Sequence, residues 1–395
     1  MAEIQRVLLV RPLAGERWRS ISSYAASLED MLREAGIAVD TVAAPWFNPA
    51  SMVEAARAGW ARQPQLRLAR EGVYDVVHLT DQALAHHAPR FSARTPVLVT
   101  CHDLMPFTTS GYYEGRIERL VKCAFLRRSR AALKSADTVA AVSEFTRGEL
   151  VRELGFTCQS IPLVPNVIRP AFRPTPRSHA EAALSAVGIA LPSAPRILSV
   201  GNDRAYKNLP ALFDAVARPG LSHASIVRVG PPLSGTALRR AVQGGVLRRT
   251  IQLRSLSDEQ LALVYAACDV LVQPSIAEGF GIPVIEAMAC GLPVVSSDGG
   301  ALPEIVDGTG LIVPLGGHDF AGRMAAAIQR AIAGREPLGE AGIARAYIPA
   351  GCRRRSPAGC IFARGCRPPV ARSRIVPTIP TWGSPPAASS RSSSG

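Results

Sequence analysis

The 395-residue sequence is short of charge: Asp, Glu, Lys and Arg make up 19% of it, against 47% hydrophobic residues. That balance excludes a chain disordered over most of its length. Long apolar runs are also missing. Pro, Gly or a charge interrupts each one before the roughly 18 residues that a membrane-spanning helix needs. The opening MAEIQRVLLVRP enters a strand-like run at once. It lacks the basic region, apolar stretch and small-residue cleavage site of a secretory signal, so the sequence reads as cytoplasmic. The eight cysteines show neither metal-ligand spacing nor the density of a secreted disulfide scaffold. Cys101, Cys268 and Cys290 stand in apolar strand or helix contexts and read as buried thiols. No Asp-x-Asp element occurs in a context suited to a metal, so no metal site is expected. No G-x-G-x-x-G follows the first strand, which argues against a dinucleotide-binding dehydrogenase.

Acidic residues are absent after position 340, and this explains the net charge of +14. Residues 341–395 hold nine Arg and no Asp or Glu; without them 36 basic residues face 31 acidic ones, or +5. A nucleic-acid footprint would show as a basic stripe with interleaved aromatics, or as a known motif, in the folded part. Neither is present, so no nucleic-acid partner is expected.

What is present is alternation. Apolar, β-branched runs appear at Arg6–Arg11, Tyr74–Leu79, Val97–Cys101, Asp137–Ser143 and Ile161–Pro165. A second series runs through Arg196–Val200, Ser225–Val229, Thr250–Arg254, Asp269–Gln273, Pro293–Ser297 and Leu311–Val313. Runs such as VLLV, VLVT, ILSV and VLVQ are apolar throughout, the signature of strands buried on both faces of a parallel sheet. Helical stretches between them give two doubly wound α/β units. The expected division is a first domain over 1–170, a Pro-rich linker over 171–195 with some helix near Ala180–Val187, a second domain over 196–340, and a tail over 341–395. Ser257-Asp-Glu-Gln260 forms a capping box. Pro283 suits a helix start, and Gly291 suits a helix end. The tail is rich in Arg, Pro, Ser and Gly without periodicity and reads as disordered. Out-of-frame translation of a GC-rich gene is one explanation of its composition.

The strongest chemical signal is Pro274-Ser-Ile-Ala-Glu278-Gly279-Phe280-Gly281-Ile-Pro283-Val-Ile-Glu286-Ala-Met-Ala-Cys-Gly291. A buried strand, a glycine loop and a helix follow one another here. That puts Glu278, Gly279 and Gly281 at the carboxyl edge of a parallel sheet, where α/β proteins bind ligands. Glycines permit close approach of backbone to a ligand, and the first amides of the helix favour a phosphate. The paired acids suit sugar or ribose hydroxyls; by themselves they would be a solvated loop acid and a helix acid.

These residues resemble the E-x7-E region of glycosyltransferase family 4, retaining enzymes of the GT-B fold, and the likeness runs from about residue 6 to 333. Val200-Gly201-Asn-Asp-Arg204-Ala-Tyr-Lys207 resembles the family's diphosphate-binding segment. Val99-Thr-Cys-His102-Asp103 resembles its HD element. Ala141-Val-Ser-Glu-Phe-Thr, Val164-Pro-Asn166-Val and Ala301-Leu-Pro-Glu304 resemble further family segments. The resemblance implies two Rossmann-like doubly wound parallel-sheet domains facing a cleft, plus the aberrant tail. It implies that Lys207 and Arg204 stabilise charge on the leaving diphosphate. Glu278 would hold hydroxyls of the donor sugar and Glu286 the ribose. Gly201, Gly279, Phe280 and Gly281 would present backbone beside them. His102 would lie beside the transferred sugar, or else be a satisfied structural histidine. Asp103 would orient His102 or cap the next segment. Arg204 has the alternative of a solvent-facing loop residue.

The implied reaction is mannosyltransferase-like. A hexosyl group moves, with retention of configuration, from a nucleotide-diphosphate sugar to a glycan or lipid-linked glycan acceptor in bacterial surface polysaccharide synthesis. No cofactor beyond the donor is implied. GDP-mannose, UDP-sugars and dTDP-rhamnose stay open as donors. Two departures stand out. Only Gly15 remains of a glycine-rich loop after the first strand, and the tail replaces a helix that crosses back to the first domain. The alternatives are a nucleotide-sugar-binding protein left weakly active or inactive by its C-terminus, or another GT-B enzyme such as a nucleotide-sugar epimerase. Residues 116–134 read as a basic amphipathic helix, either packed in the fold or resting on the inner face of the cell membrane as a peripheral contact.

Overall fold

A computed structural model describes residues 4–12, 19–44, 64–91, 94–105, 130–193 and 195–346. Gly15, residues 116–129 of the basic helix and all of the tail beyond 346 lie outside the described residues. Among the described residues no helix is long and apolar enough to cross a membrane.

Among the described residues, five parallel strands form the first sheet: β1 (Arg6–Pro12), β2 (Ala38–Ala44), β3 (Val76–Leu79), β4 (Val97–Cys101) and β5 (Thr138–Ala141), in the order β2-β1-β3-β4-β5. Six more form the second: β6 (Arg196–Val200), β7 (Ser225–Val229), β8 (Thr250–Leu253), β9 (Val270–Gln273), β10 (Val294–Ser297) and β11 (Leu311–Val313). Their order is β11-β10-β9-β6-β7-β8. Every ladder in both sheets is parallel. The all-apolar runs account for this. Leu8, Leu9 and Val10 of β1, and Val270, Leu271 and Val272 of β9, are fully buried, because helices cover both faces of each sheet.

Two expected features differ from the structure. β2 has no apolar run to announce it. AVDTVAA is an edge strand whose Asp40 accepts from Arg6 and from the Tyr74 hydroxyl at 2.9 and 2.8 Å, so polar residues sit where a central strand would carry valine. Ile161–Pro165 is no strand but a single bridge of Leu163 to Ala141. Pro162 and Pro165 have no N–H to extend a ladder.

The linker helix spans Arg177–Ala186. The capping box at Ser257 and Gln260 is formed in both directions, at 3.2 and 2.9 Å. The last described helix, Arg335–Ala346, runs six residues into the stretch expected to be disordered. Packing explains the difference. Gly339 lies against the Gly291 carbonyl, Gly342 against Met288, and Arg345 donates to the Glu304 carbonyl at 2.9 Å. The helix Arg335–Ala346 is therefore docked on the second sheet's helical layer although its last six residues fall in the acid-free stretch expected to be tail.

Candidate functional site

The strand order of the second sheet reverses between β6 and β9, and loops leaving the carboxyl ends of two such strands spread apart to leave a crevice. After β6, the chain turns at Gly201, with φ +131°, and forms a short 3-10 turn over Ala205–Lys207. Asn208 then takes a left-handed conformation, φ 51°, and starts the helix Leu209–Val216. After β9 come Pro274–Gly281 and the helix Ile282–Ala289. The two loops are joined where the Ile276 amide donates to the Tyr206 carbonyl at 2.7 Å.

Lys207 and Glu278 meet in this crevice, with Nζ 2.6 Å from Oε1. The same oxygen accepts from Gln273 Nε2 at 2.6 Å and from Ser275 Oγ at 2.7 Å. Both side chains are about nine-tenths buried, at 11% and 9% exposure. Burial opposes the Lys207 charge, but Glu278 beside it more than offsets that, and the ammonium stays above its ordinary range. A Cβ on Gly201 would come within 3.6 Å of Lys207 Cε, so the lysine stem lies along this glycine. The half-buried Arg204 shares the loop, its amide donating to Asn202 Oδ1 at 3.2 Å.

The helix start supplies donors. Pro283 has no N–H, and the Val284 amide donates to the Gly281 carbonyl at 2.9 Å. The amides of Phe280, Gly281 and Ile282 have no acceptor among the described residues. Free amides at a helix N-terminus beside an ammonium form an anion-binding arrangement.

The first half closes on this loop at Gly279. A Cβ there would stand 2.0 Å from the His102 carbonyl oxygen and 2.7 Å from Asp103 Cβ. The Gly279 carbonyl accepts from Ser143 Oγ at 2.6 Å and from Thr146 Oγ1 at 3.2 Å. Ser143 caps the helix Glu144–Leu154, and the Glu144 amide donates to Glu304 Oε1 at 3.1 Å. The segments around Ser143 and Glu304 thus serve as the contact between the halves.

His102 follows β4. Its Nε2 lies 2.9 Å from the Thr80 carbonyl, so that nitrogen carries the proton, and its ring meets Tyr24 edge-on at 4.8 Å. Burial lowers it to about 4, which keeps it neutral at physiological pH. Asp103 makes no bond to His102. It takes the Met105 amide, which is the capping role, and burial with nearby Asp81, Glu278 and Glu149 raises it to about 7.

Glu286 lies on the helix that starts at the crevice, but its carboxylate meets other partners. Arg169 Nη2 donates to Oε1 at 2.5 Å and the Tyr265 hydroxyl to Oε2 at 3.0 Å. Burial raises Glu286, and Arg169 and Tyr265 oppose that rise without cancelling it. A cavity of about 380 Å³ opens next to this group, bordered by Arg169, Asp258, Glu259, Ser23 and Asp30.

Gln273, Ser275 and Tyr265, which bond the two glutamates, have no site role in the sequence reading, and neither have two arginines. Arg169 is one. The other is Arg228, fully buried on β7, whose Nη2 donates to the Gly201 carbonyl at 2.5 Å and Nη1 to Val229 O at 2.6 Å. Burial lowers it to about 10. A charged residue inside the apolar run SIVRV was the available signal, since a buried arginine must have acceptors. Among the described residues no group of three or more His, Cys, Asp or Glu is arranged to hold a metal.

Two parallel-sheet halves that meet over a crevice at the reversal of the second sheet are the GT-B architecture of glycosyltransferases. The same fold is found in sucrose-phosphate synthase from Thermosynechococcus elongatus, with TM-score 0.65 and 23% identity over 87% of this chain and 94% of that one. It is found too in Anabaena HepE in complex with UDP and glucose, with TM-score 0.63 and 20% identity over 87% and 94%. The chain belongs to the family 4 glycosyltransferases: the model for Glycosyltransferase Family 4 matches residues 21–172 and that for Glycosyl transferases group 1 matches residues 194–333. It is 31% identical over 270 residues to the O-antigen chain mannosyltransferase B of Escherichia coli, spanning 64% of this chain and 68% of that protein. It is 32% identical over 269 residues to the D-inositol 3-phosphate glycosyltransferase of Streptomyces bingchenggensis, spanning 63% of this chain and 57% of that relative's own length.

Proposed function

We propose that this glycosyltransferase moves a hexosyl group, with retention of configuration, from a nucleotide-diphosphate sugar to a glycan or lipid-linked glycan acceptor. The observation that carries the reading is the buried Lys207–Glu278 pair beside the free amides of Phe280–Ile282, closed over by His102 through Gly279. The diphosphate takes the place of the Glu278 carboxylate as the partner of Lys207. The free amides share its charge, and Arg204 approaches from the same loop. Cations and amides fixed before reaction stabilise the leaving diphosphate without reorganisation. Glu278, released from Lys207 but still bonded by Gln273 and Ser275, accepts hydroxyls of the donor sugar. Glu286 accepts the ribose hydroxyls. His102, neutral, presents its ring to the transferred sugar. Donor and acceptor are held on one face of the sugar, so positioning supplies the remainder of the catalysis.

The likeness to an O-antigen chain mannosyltransferase favours a mannose-type donor and a role in bacterial surface polysaccharide synthesis. A thermal-shift screen of GDP-, UDP- and dTDP-sugars tests the donor, because a ligand of the native state raises its melting temperature. The anomer released on donor turnover, followed by NMR, tests retention. An inverted product or the absence of any stabilising nucleotide sugar contradicts the reading.

A further inference from the structure

Arg169 stands two residues before the linker and bridges parts that are far apart in sequence. Its guanidinium stacks on Phe172 at 4.7 Å and is 18% exposed. Nη2 bonds Glu286 Oε1 at 2.5 Å, Nη1 pairs with Asp258 Oδ1, and Nη1 lies 3.5 Å from Ser23 Oγ in the first half. Tyr265 holds the second oxygen of Glu286. Each Glu286 oxygen therefore has one fixed donor and a remaining lone pair. Asp258 and Arg169 also border the 380 Å³ cavity.

We propose that Arg169 is a positioning residue for the donor's ribose, keeping Glu286 an oriented carboxylate whose free lone pairs accept the ribose hydroxyls. The inference rests on the reading of Glu286 as the ribose acceptor given above. A carboxyl group buried to 4% exposure without a cation takes up a proton instead of staying charged. A protonated Glu286 loses accepting strength and is free to turn its own hydroxyl toward the ribose. The planar fork of arginine reaches two acids at once, Glu286 and Asp258, which the point charge of a lysine does not. Through Ser23 the same side chain registers the first half against the donor site.

The test is calorimetric titration of the full chain with GDP and UDP and with their 2′-deoxy and 3′-deoxy counterparts. The wild type should prefer the ribonucleotide. Arg169→Gln and Glu286→Gln should each lose about tenfold of that preference, the order of one charge-assisted hydrogen bond. Affinity for the deoxy forms should change little. The groups facing Glu286 are Arg169, Tyr265, Asp258 and Cys290. With Arg169 gone, raising the pH from 6 to 9 should restore part of the preference in Arg169→Gln, and none in Glu286→Gln. Arg169→Lys, which keeps the charge but not the fork, should fall between wild type and Arg169→Gln; it carries the test if Arg169→Gln does not fold. A wild-type ratio in both Arg169 variants, with the ratio lost in Glu286→Gln, overturns the inference alone. A wild-type ratio in Glu286→Gln overturns the ribose reading together with it.

Discussion

Lys207 Nζ lies 2.6 Å from Glu278 Oε1, inside the crevice and shielded from water. Where the proposed diphosphate would sit, the free protein already holds a closed ion pair, and donor binding exchanges one anion for another.

Removing either partner should therefore cost both stability and activity. Lys207→Met leaves Glu278 buried with only Gln273 and Ser275, and breaking a buried pair typically costs about 3–5 kcal/mol. Turnover should fall by a factor of about 10² or more, the usual loss of a preorganised charge stabiliser. Because Lys207 sits above 10.5, the pair's contribution is complete at neutral pH and fades only as pH rises beyond 10.5 through the folded value. The melting-temperature gap between wild type and the double variant Lys207→Met/Glu278→Gln should be flat from pH 6 to 9, because neither charge of the pair is left to titrate alone. The double variant Lys207→Met/Glu278→Gln should regain part of the lost stability, since no buried charge is left alone.

Asp81 should set a pH dependence of the opposite kind. Its side chain caps the turn at Ala83, 2.6 Å from that amide, while its other oxygen is buried without a partner among the described residues. Burial raises it from 3.8 to about 7. The folded state thus holds a proton that the unfolded state has lost, and stability present below 3.8 is lost as pH rises through 7. Asn resembles the protonated acid and also caps well. Asp81→Asn should match wild type only at pH 3.8 and below, and should melt at an increasingly higher temperature than wild type as pH rises to 9. A temperature difference that does not grow with pH would contradict this.

Gly279→Ala should push the two halves apart. The added carbon would meet the His102 carbonyl at 2.0 Å, and backbone stands on both sides of the clash. Donor turnover should drop at least about 100-fold, the order lost when catalytic groups are misplaced by about an ångström. Gly148→Ala is the control. It sits in the helix Glu144–Leu154 with nothing within 4 Å of the new carbon, and should stabilise by about 0.5–1 kcal/mol.

The sequence made the buried strands and the glycine loop legible because each is a local pattern, an apolar run or a turn. Lys207 is named only through the resemblance, and its contact with Glu278, 71 positions away, is not foreseen there. What stayed hidden depends on distant partners. The edge strand Ala38–Ala44 carries Asp40, which is bonded by both Arg6 and Tyr74. The role of Ser143 and Thr146 exists only through Gly279, more than 130 positions away. The last six residues of the helix Arg335–Ala346 read as tail because acids and periodicity end at 340, whereas Gly339 and Gly342 allow the helix to approach Gly291 and Met288 closely. Composition also sets Lys207 apart, as one of three lysines among 45 basic residues.

Arg228 should act on donor affinity from beneath the Gly201 turn. Arg228→Met removes the guanidinium from the Gly201, Ser199 and Val229 carbonyls, of which Val229 keeps the Gly201 amide at 3.0 Å. Stability should fall by about 3 kcal/mol, since three buried acceptors lose a charged partner. Diphosphate affinity should weaken by about tenfold through a loosened loop, one hydrogen bond's worth. Chemical denaturation and calorimetry with GDP and UDP read the two effects separately.

The most direct measurement is a crystal structure of the full chain with the nucleoside diphosphate that stabilises it best. A phosphate oxygen should lie about 3 Å from Lys207 Nζ, with further phosphate contacts at the amides of Phe280–Ile282 and the Lys207–Glu278 contact opened. A nucleotide bound elsewhere, with Lys207 still on Glu278, would contradict it.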